Sequence, residues 1–261
     1  MREFTNLAWP ETPFGAEQRP FGKHIDMLTA CTFEWTNEPD VWRTVPVVVS
    51  LVYLRIRRRG NTQQVSDDTL SIGFRAAVIE DRSEVPALLT LADRALTRAR
   101  RHAAIMAGHW LRPDLTRLNA CSAVPLRGVD GVLSAWADRT ETQRGLAVMI
   151  DTGSEANKTG ADICMSLEPV AERVPDCPGC TGQVAQRALA RCLGVGLTAA
   201  LHTSRYTWEG SFCVPEAIER AGWDVLLSDI GGGTCSAVAT SDGGAGRAAD
   251  TAERPVARAA R

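Results

Sequence analysis

Three runs dense in β-branched and apolar residues follow one another early in the chain: DMLTACTFEW (26–35), VPVVVSLVYLRI (45–56) and TLSIGFRAAVI (69–79). Side chains branched at Cβ lose rotamer freedom in a helix and pack well on a pleated surface, so each run reads as a strand. Together they predict an antiparallel meander. The pattern then changes period. SEVPALLTLADRALTRARRH (83–102) opens on Ser83 as the expected N-cap, sets Pro86 in the first turn and spaces its apolar residues by three and four, which predicts a helix. It leads into AAIMAG (103–108), a short apolar strand expected to join the sheet in parallel. RPDLTRLNAC (112–121) and RGVDGVLSAWADRT (127–140) predict short helices, and RGLAVMIDT (144–152) predicts another strand, ending in a carboxylate. Helices are expected over 182–205 and 214–230 from their Ala and Leu content and spacing. The expected class is therefore α/β, a mixed sheet in which an antiparallel meander is followed by parallel strands, flanked by helices. Residues 1–25 read as an N-terminal extension, 26–230 as one domain, and 231–261, which lose large apolar side chains, as a disordered tail.

With 261 residues, 44% of them hydrophobic, the chain can bury one good core or two small ones. No apolar run reaches the roughly 18 residues that suggest a membrane helix, and MREFTNLAWPETPFG lacks the basic-then-apolar layout of a leader; a soluble, cytoplasmic protein without a membrane partner is expected. The formal net charge is −2, so affinity for a polyanion has to come from local patches. Two such patches stand out. RIRRRGN places Arg55, Arg57, Arg58 and Arg59 before a Gly-Asn turn, and RALTRARRH carries Arg94, Arg98, Arg100 and Arg101 near a helix end. Each also fits a plainer role, a solvated hairpin tip and a helix C-terminus that complements its own dipole. Eight cysteines in a chain of this length fit reduced thiols better than a disulfide framework. The pair in CPGC (177–180) reads as two loop cysteines beside a Pro-Gly turn, with half a zinc site or a redox couple as the alternatives.

The carboxylates gather at strand ends and helix starts, where open α/β sheets build ligand sites. Glu34 ends the first run, Asp114 follows Gly108 and His109 at the opening of a helix, Asp151 closes the apolar strand MID, and Asp224 stands beside Trp223 on the last helix. In order, TFEWT, GHWLRPDLTRL, MIDT and ERAGWDVL resemble the motifs of DEDD-type (DnaQ-like) 3'-5' exonucleases of the ribonuclease H-like superfamily, over most of residues 26–230. That family carries Asp-x-Glu on a strand, an Asp in a Gly-His segment opening a helix, and a last-helix Asp preceded by His or Tyr. The resemblance implies a ribonuclease H-like fold and phosphodiester hydrolysis at a single-stranded 3' end. Two Mg2+ or Mn2+ ions would be held by Glu34, Asp114 and Asp224, with Asp151 able to add a ligand. Two such ions, roughly 4 Å apart, activate water and steady the leaving oxygen. Arg57, Arg58, Arg59, His109 and Trp110 are the expected nucleic-acid contacts, an aromatic beside a phosphate site being able to stack on a base.

Two positions depart from that pattern. Thr32 stands where the first Asp belongs, and a neutral hydroxyl is a poorer ligand for a hard cation. Glu219 lies five residues before Asp224 where the family places its His or Tyr base. Two readings follow: an active exonuclease with Glu219 as base, or a relative with a decayed metal site that binds nucleic acid or protein. Taken alone, Glu34 fits an exposed strand-end charge, Asp114 a helix cap, Asp151 a loop cap and Asp224 a solvated helix residue. A third reading makes CPGC the active pair of a thiol-redox protein.

Overall fold

The computed structural model of the chain describes residues 1–7, 27–36, 44–57, 62–137, 146–154, 163, 167, 169, 173–223 and 226. Three strands form the meander: β2 (Met27–Trp35), β3 (Pro46–Arg55) and β5 (Ile72–Val78). β2 runs antiparallel to β3, and β3 antiparallel to β5. All nine residues of β2, and all of β3 except Arg55, are buried, which explains why these runs are apolar without alternation. Strands covered on both faces have no solvent side to keep polar.

Helix α1 (Val85–His102) carries the chain to β6 (Ile105–Gly108), which lies parallel to β2. Helices α2 (Leu111–Cys121) and α3 (Arg127–Ala137) lead to β7 (Val148–Asp151), parallel to β6. The mixed six-stranded sheet has the order β1-β5-β3-β2-β6-β7, where β1 (Arg2–Thr5) pairs antiparallel with β5 at one edge. The first of these strands was not expected: residues 2–5 belong to the sheet rather than to an extension, tied in further by Asn6, whose amide donates to Ile72 O at 2.8 Å and accepts from Phe74 N at 2.8 Å. A second, parallel pair joins β4 (Gln63–Gln64) to β8 (Tyr206–Thr207).

The 25-residue α4 (Pro178–His202) covers one face of the sheet. A Cβ at Gly196 would stand 3.1 Å from Leu54 Cδ1 and 3.3 Å from the Ala30 methyl, so this glycine sets how closely helix and sheet approach. Leu28, Ala30 and Leu54 therefore face α4, and by the two-residue period of a strand Thr32 and Glu34 do too. Tyr53, pointing the other way, lines a cavity of about 350 Å³ with Arg94, Ala95 and Arg98 of α1.

Four local expectations are corrected. Asp81, not Ser83, caps the entry to α1: its carboxylate accepts the Ser83 N–H at 2.8 Å over a single 3-10 turn, Arg82–Glu84, with Glu84 bonding back to the Asp81 N–H. α4 begins at Pro178, four residues before the expected start at Gly182. Within the helix expected over 214–230, α5 (Val214–Ile218) runs into one wide turn, Glu219–Trp223, where Gly222 takes the left-handed region at φ 98°; Leu226 beyond it is helical again, and 224–225 and 227–230 lie outside the described residues. That conformation suits glycine and kinks the helix there. Finally, Cys177 and Cys180 are not loop thiols but a disulfide at the start of α4. The tail over 231–261 lies outside the described residues. Among the described residues no helix is long and apolar enough to cross a membrane.

Candidate functional site

The three parallel strands β2, β6 and β7 finish on one side of the sheet, where open α/β sheets build ligand sites, and the described residues that follow β6 and β7 meet there at the candidate cleft. Asp151 ends β7. Its Oδ1 accepts the backbone N–H of Trp110 at 2.9 Å and of Gly153 at 3.0 Å, tying the loop after β6 to the loop after β7. This is the loop-capping role that its position alone suggested. His109 Nδ1 lies 3.0 Å from Thr152 Oγ1, and that hydroxyl donates to Gly108 O at 3.1 Å. The hydroxyl has one proton, so with it on the carbonyl His109 Nδ1 is the donor.

Between these bonds Trp110 is held at φ 50° and ψ 39°, left-handed backbone that a bulky residue rarely adopts. Its indole lies against Gly153, where a Cβ would come within 2.7 Å of the ring. The result is an aromatic side chain 46% exposed beside the ends of β6 and β7. A strained, well-held exposed aromatic of this kind is a mark of function more than of packing.

Asp114 sits in the first turn of α2, buried at 6% exposure. Trp35, the last residue of β2, donates Nε1–H to Asp114 Oδ1 at 2.9 Å, and Arg117 approaches it at 3.9 Å. Burial pushes the Asp114 carboxyl up to about 6, against the pull of Arg191, the Trp35 bond and Arg117; the charge of Asp151 adds to the rise.

Glu34 is not the exposed strand-end charge its position alone suggested. Its Oε1 accepts from Arg191 Nη1 at 2.8 Å, and each side chain is 2% exposed. Arg191, from the middle of α4, also donates from Nε to Leu167 O at 2.7 Å and from Nη1 to Phe33 O at 3.3 Å. Thr32, beside it, is buried next to the Cys192 thiol on α4, which burial pushes up to about 12.

The cleft thus brings together Glu34, Asp114, Asp151, His109 and Trp110 and leaves other expected residues elsewhere. Arg57 is exposed beyond the far end of β3, where Arg55 pairs with Met27, about 30 Å of strand from Glu34. Its carbonyl accepts from Arg205 Nη1 at 2.9 Å. Arg58 and Arg59 lie outside the described residues. Glu219 is exposed on the wide turn after α5; Trp223 of that turn packs on Phe4 and Phe74, at the β1–β5 edge of the sheet. Its neighbour Arg220 pairs with Asp68 at 2.8 Å, so Glu219 stands apart from the cleft. Asp224 lies outside the described residues.

The residue that the sequence reading missed is Arg191. Its signal was present: a lone arginine in ALARCLGVGL, with Ala188 and Val195 three before and four after it, is a charge on an apolar helix stripe.

These donors do not suit two divalent ions. Glu34 is committed to a guanidinium, Thr32 is neutral, one oxygen of Asp151 already accepts two backbone N–H groups, and one of Asp114 accepts an indole N–H. A cation placed at Glu34 would meet the positive charge of Arg191 at close range. Among the described residues, the groups of three ligand atoms within 4.8 Å of one another are Asp176, Cys177 and Cys180, and Asp67, Cys213 and Glu216; the cleft acids form none. Comparison with known proteins returned no matching family model, no matching curated protein and no matching solved structure.

Proposed function

We propose that the chain is a ribonuclease H-like module in which an arginine has taken over the charge role of the metal ions, and that it binds single-stranded nucleic acid without cleaving it. The observation that carries this reading is the buried Arg191–Glu34 pair. An exonuclease site gathers negative charge to hold cations; here the cation is covalently part of α4. The sheet supports the fold assignment, since β2, β3 and β5 form an antiparallel meander and β6 and β7 add in parallel. The catalytic version, with Mg2+ or Mn2+ on Glu34, Asp114 and Asp224, would need Glu34 released from Arg191.

The cleft has parts that suit a single strand. Trp110 offers a π-face, and Arg112 and Arg117 stand exposed on the same helix α2, Arg117 also lying 5.7 Å over the Trp35 ring. Stacking on an aromatic is worth about 1–3 kcal/mol per base, and arginine supplies phosphate contacts without a metal. The test is fluorescence anisotropy of a labelled single-stranded oligonucleotide in EDTA. Wild-type protein binds, Trp110→Ala binds about 5- to 150-fold more weakly, and raising salt weakens both. Absence of binding in EDTA would refute the reading.

A further inference from the structure

We propose that Cys177 and Cys180 form a second site, a redox pair that exchanges electrons with dithiol and disulfide substrates. The pair is bonded at the opening of the longest helix, with Cα atoms 5.2 Å apart. Cys177 is the N-cap: its backbone is extended, and its sulfur accepts the Cys180 N–H at 3.2 Å. A sulfur so placed faces the positive end of α4 and a hydrogen-bond donor, both of which favour the thiolate. Between the cysteines stand only Pro178, exposed, and Gly179, so no bulky side chain of the motif covers the sulfurs, and both cysteines are half-buried. The turn is braced from below by Thr181, whose hydroxyl lies 3.0 Å from Cys177 O and 3.3 Å from Glu80 Oε1.

Stability is a weak reason for this bond, because a bridge constrains the unfolded chain less the shorter the loop it closes, and this one spans three residues of sequence separation. Contrast with the buried thiols sharpens the point. Cys31 and Cys192 are fully enclosed, and burial raises both. They are inert by the rule that reactive cysteines are accessible and near positive charge or donors. Charged groups near the pair among the described residues include Asp176, whose carboxylate lies within 4.8 Å of both sulfurs, and Glu80, which Arg2 meets at 3.1 Å. The negative charge of Asp176 opposes either thiolate, so the helix end and the Cys180 N–H have to outweigh it at Cys177.

In the oxidised form a substrate dithiol supplies two electrons. One substrate thiolate attacks Cys177 Sγ, forms a mixed disulfide and expels Cys180 as thiolate. The second substrate thiolate attacks the substrate sulfur of that mixed disulfide and releases Cys177, stabilised as a leaving group by the helix end. The substrate leaves as a disulfide, and its two protons pass to the cysteines or to water. The reverse sequence, with Cys177 attacking, reduces a substrate disulfide.

The experiment uses the full chain and glutathione as probe. Intact mass after equilibration at varied reduced-to-oxidised glutathione ratios reads the state of the pair, and iodoacetamide labelling against pH reads the Cys177 thiolate. The expected result is reversible reduction with unchanged circular dichroism, a labelling midpoint below the ordinary thiol value of about 8.5, and a glutathione adduct trapped on Cys177 in Cys180→Ser but not on Cys180 in Cys177→Ser. Three outcomes overturn it: a midpoint at or above the ordinary value, unfolding on reduction, which marks a structural bridge, or a reduced pair that binds zinc tightly and no longer exchanges.

Discussion

At the residue scale the molecule turns on two buried charges with different partners. Arg191 and Glu34 are both 2% exposed and held by direct contact, so truncating either leaves the other uncompensated in the core. Arg191→Ala is expected to cost about 3–5 kcal/mol in urea unfolding, while the double change Arg191→Met with Glu34→Leu comes back close to wild type, because desolvating the pair offsets most of its attraction. A double variant as unstable as Arg191→Ala would contradict this. Asp114 behaves differently. Its carboxyl is raised to about 6, chiefly by burial, so the native state holds its proton more tightly than the unfolded chain does. Stability from this group is therefore full below the ordinary carboxylate range, near pH 4, and is lost as pH rises to about 6. Asp114→Asn, which keeps an acceptor for Trp35, should flatten that slope and stabilise the protein at pH 8 by about 2–3 kcal/mol; an unchanged pH profile would show that Asp114 titrates normally.

Elements in this fold are positioned by single side chains that reach across to a neighbour. Helix α3 takes its cap from another helix: Asp93 Oδ1 on α1 accepts from Gly128 N at 2.6 Å and Val129 N at 3.1 Å. Gly128 is where the two helices touch, since a Cβ there would sit 2.0 Å from Asp93 O. Asp93→Ala should lower stability by about 1–2 kcal/mol, as loss of an N-cap does, and Gly128→Ala by at least about 1–3 kcal/mol through overpacking. Thermal melts of both variants check the pair; a neutral Gly128→Ala would mean that α1 and α3 can move apart at little cost. Such tertiary caps explain where the sequence misleads. The periodicity of α1 was legible, but its entry is fixed by Asp81 two residues before Ser83, through a 3-10 turn that no apolar pattern announces. β1 was illegible for a related reason: REFT has no strand pattern of its own, and its order comes from pairing with β5.

For the whole molecule, the sheet was readable because five of its six strands carry dense apolar runs, and the cleft because Asp114 and Asp151 sit where parallel strands end. What the sequence hid was partnership. Nothing local to Glu34 says that an arginine 157 residues away closes on it, nor that Arg57 falls beyond the far end of β3 and Glu219 on the wide turn after α5. Of the acids that the resemblance named, Glu34, Asp114 and Asp151 lie at the ends of the parallel strands, Glu219 lies elsewhere and Asp224 is outside the described residues; binding without metal is the function proposed for this arrangement.

One assay bears most directly on that claim. A 3'-labelled single-stranded oligonucleotide is incubated with wild-type protein and Mg2+ or Mn2+, alongside Asp114→Ala, and thermal melts are recorded with and without the metal, since an ion that binds the native state raises Tm. The account predicts bound but intact oligonucleotide and no metal-dependent rise in Tm. Metal-dependent trimming that Asp114→Ala abolishes would contradict it and return the cleft to two-metal catalysis.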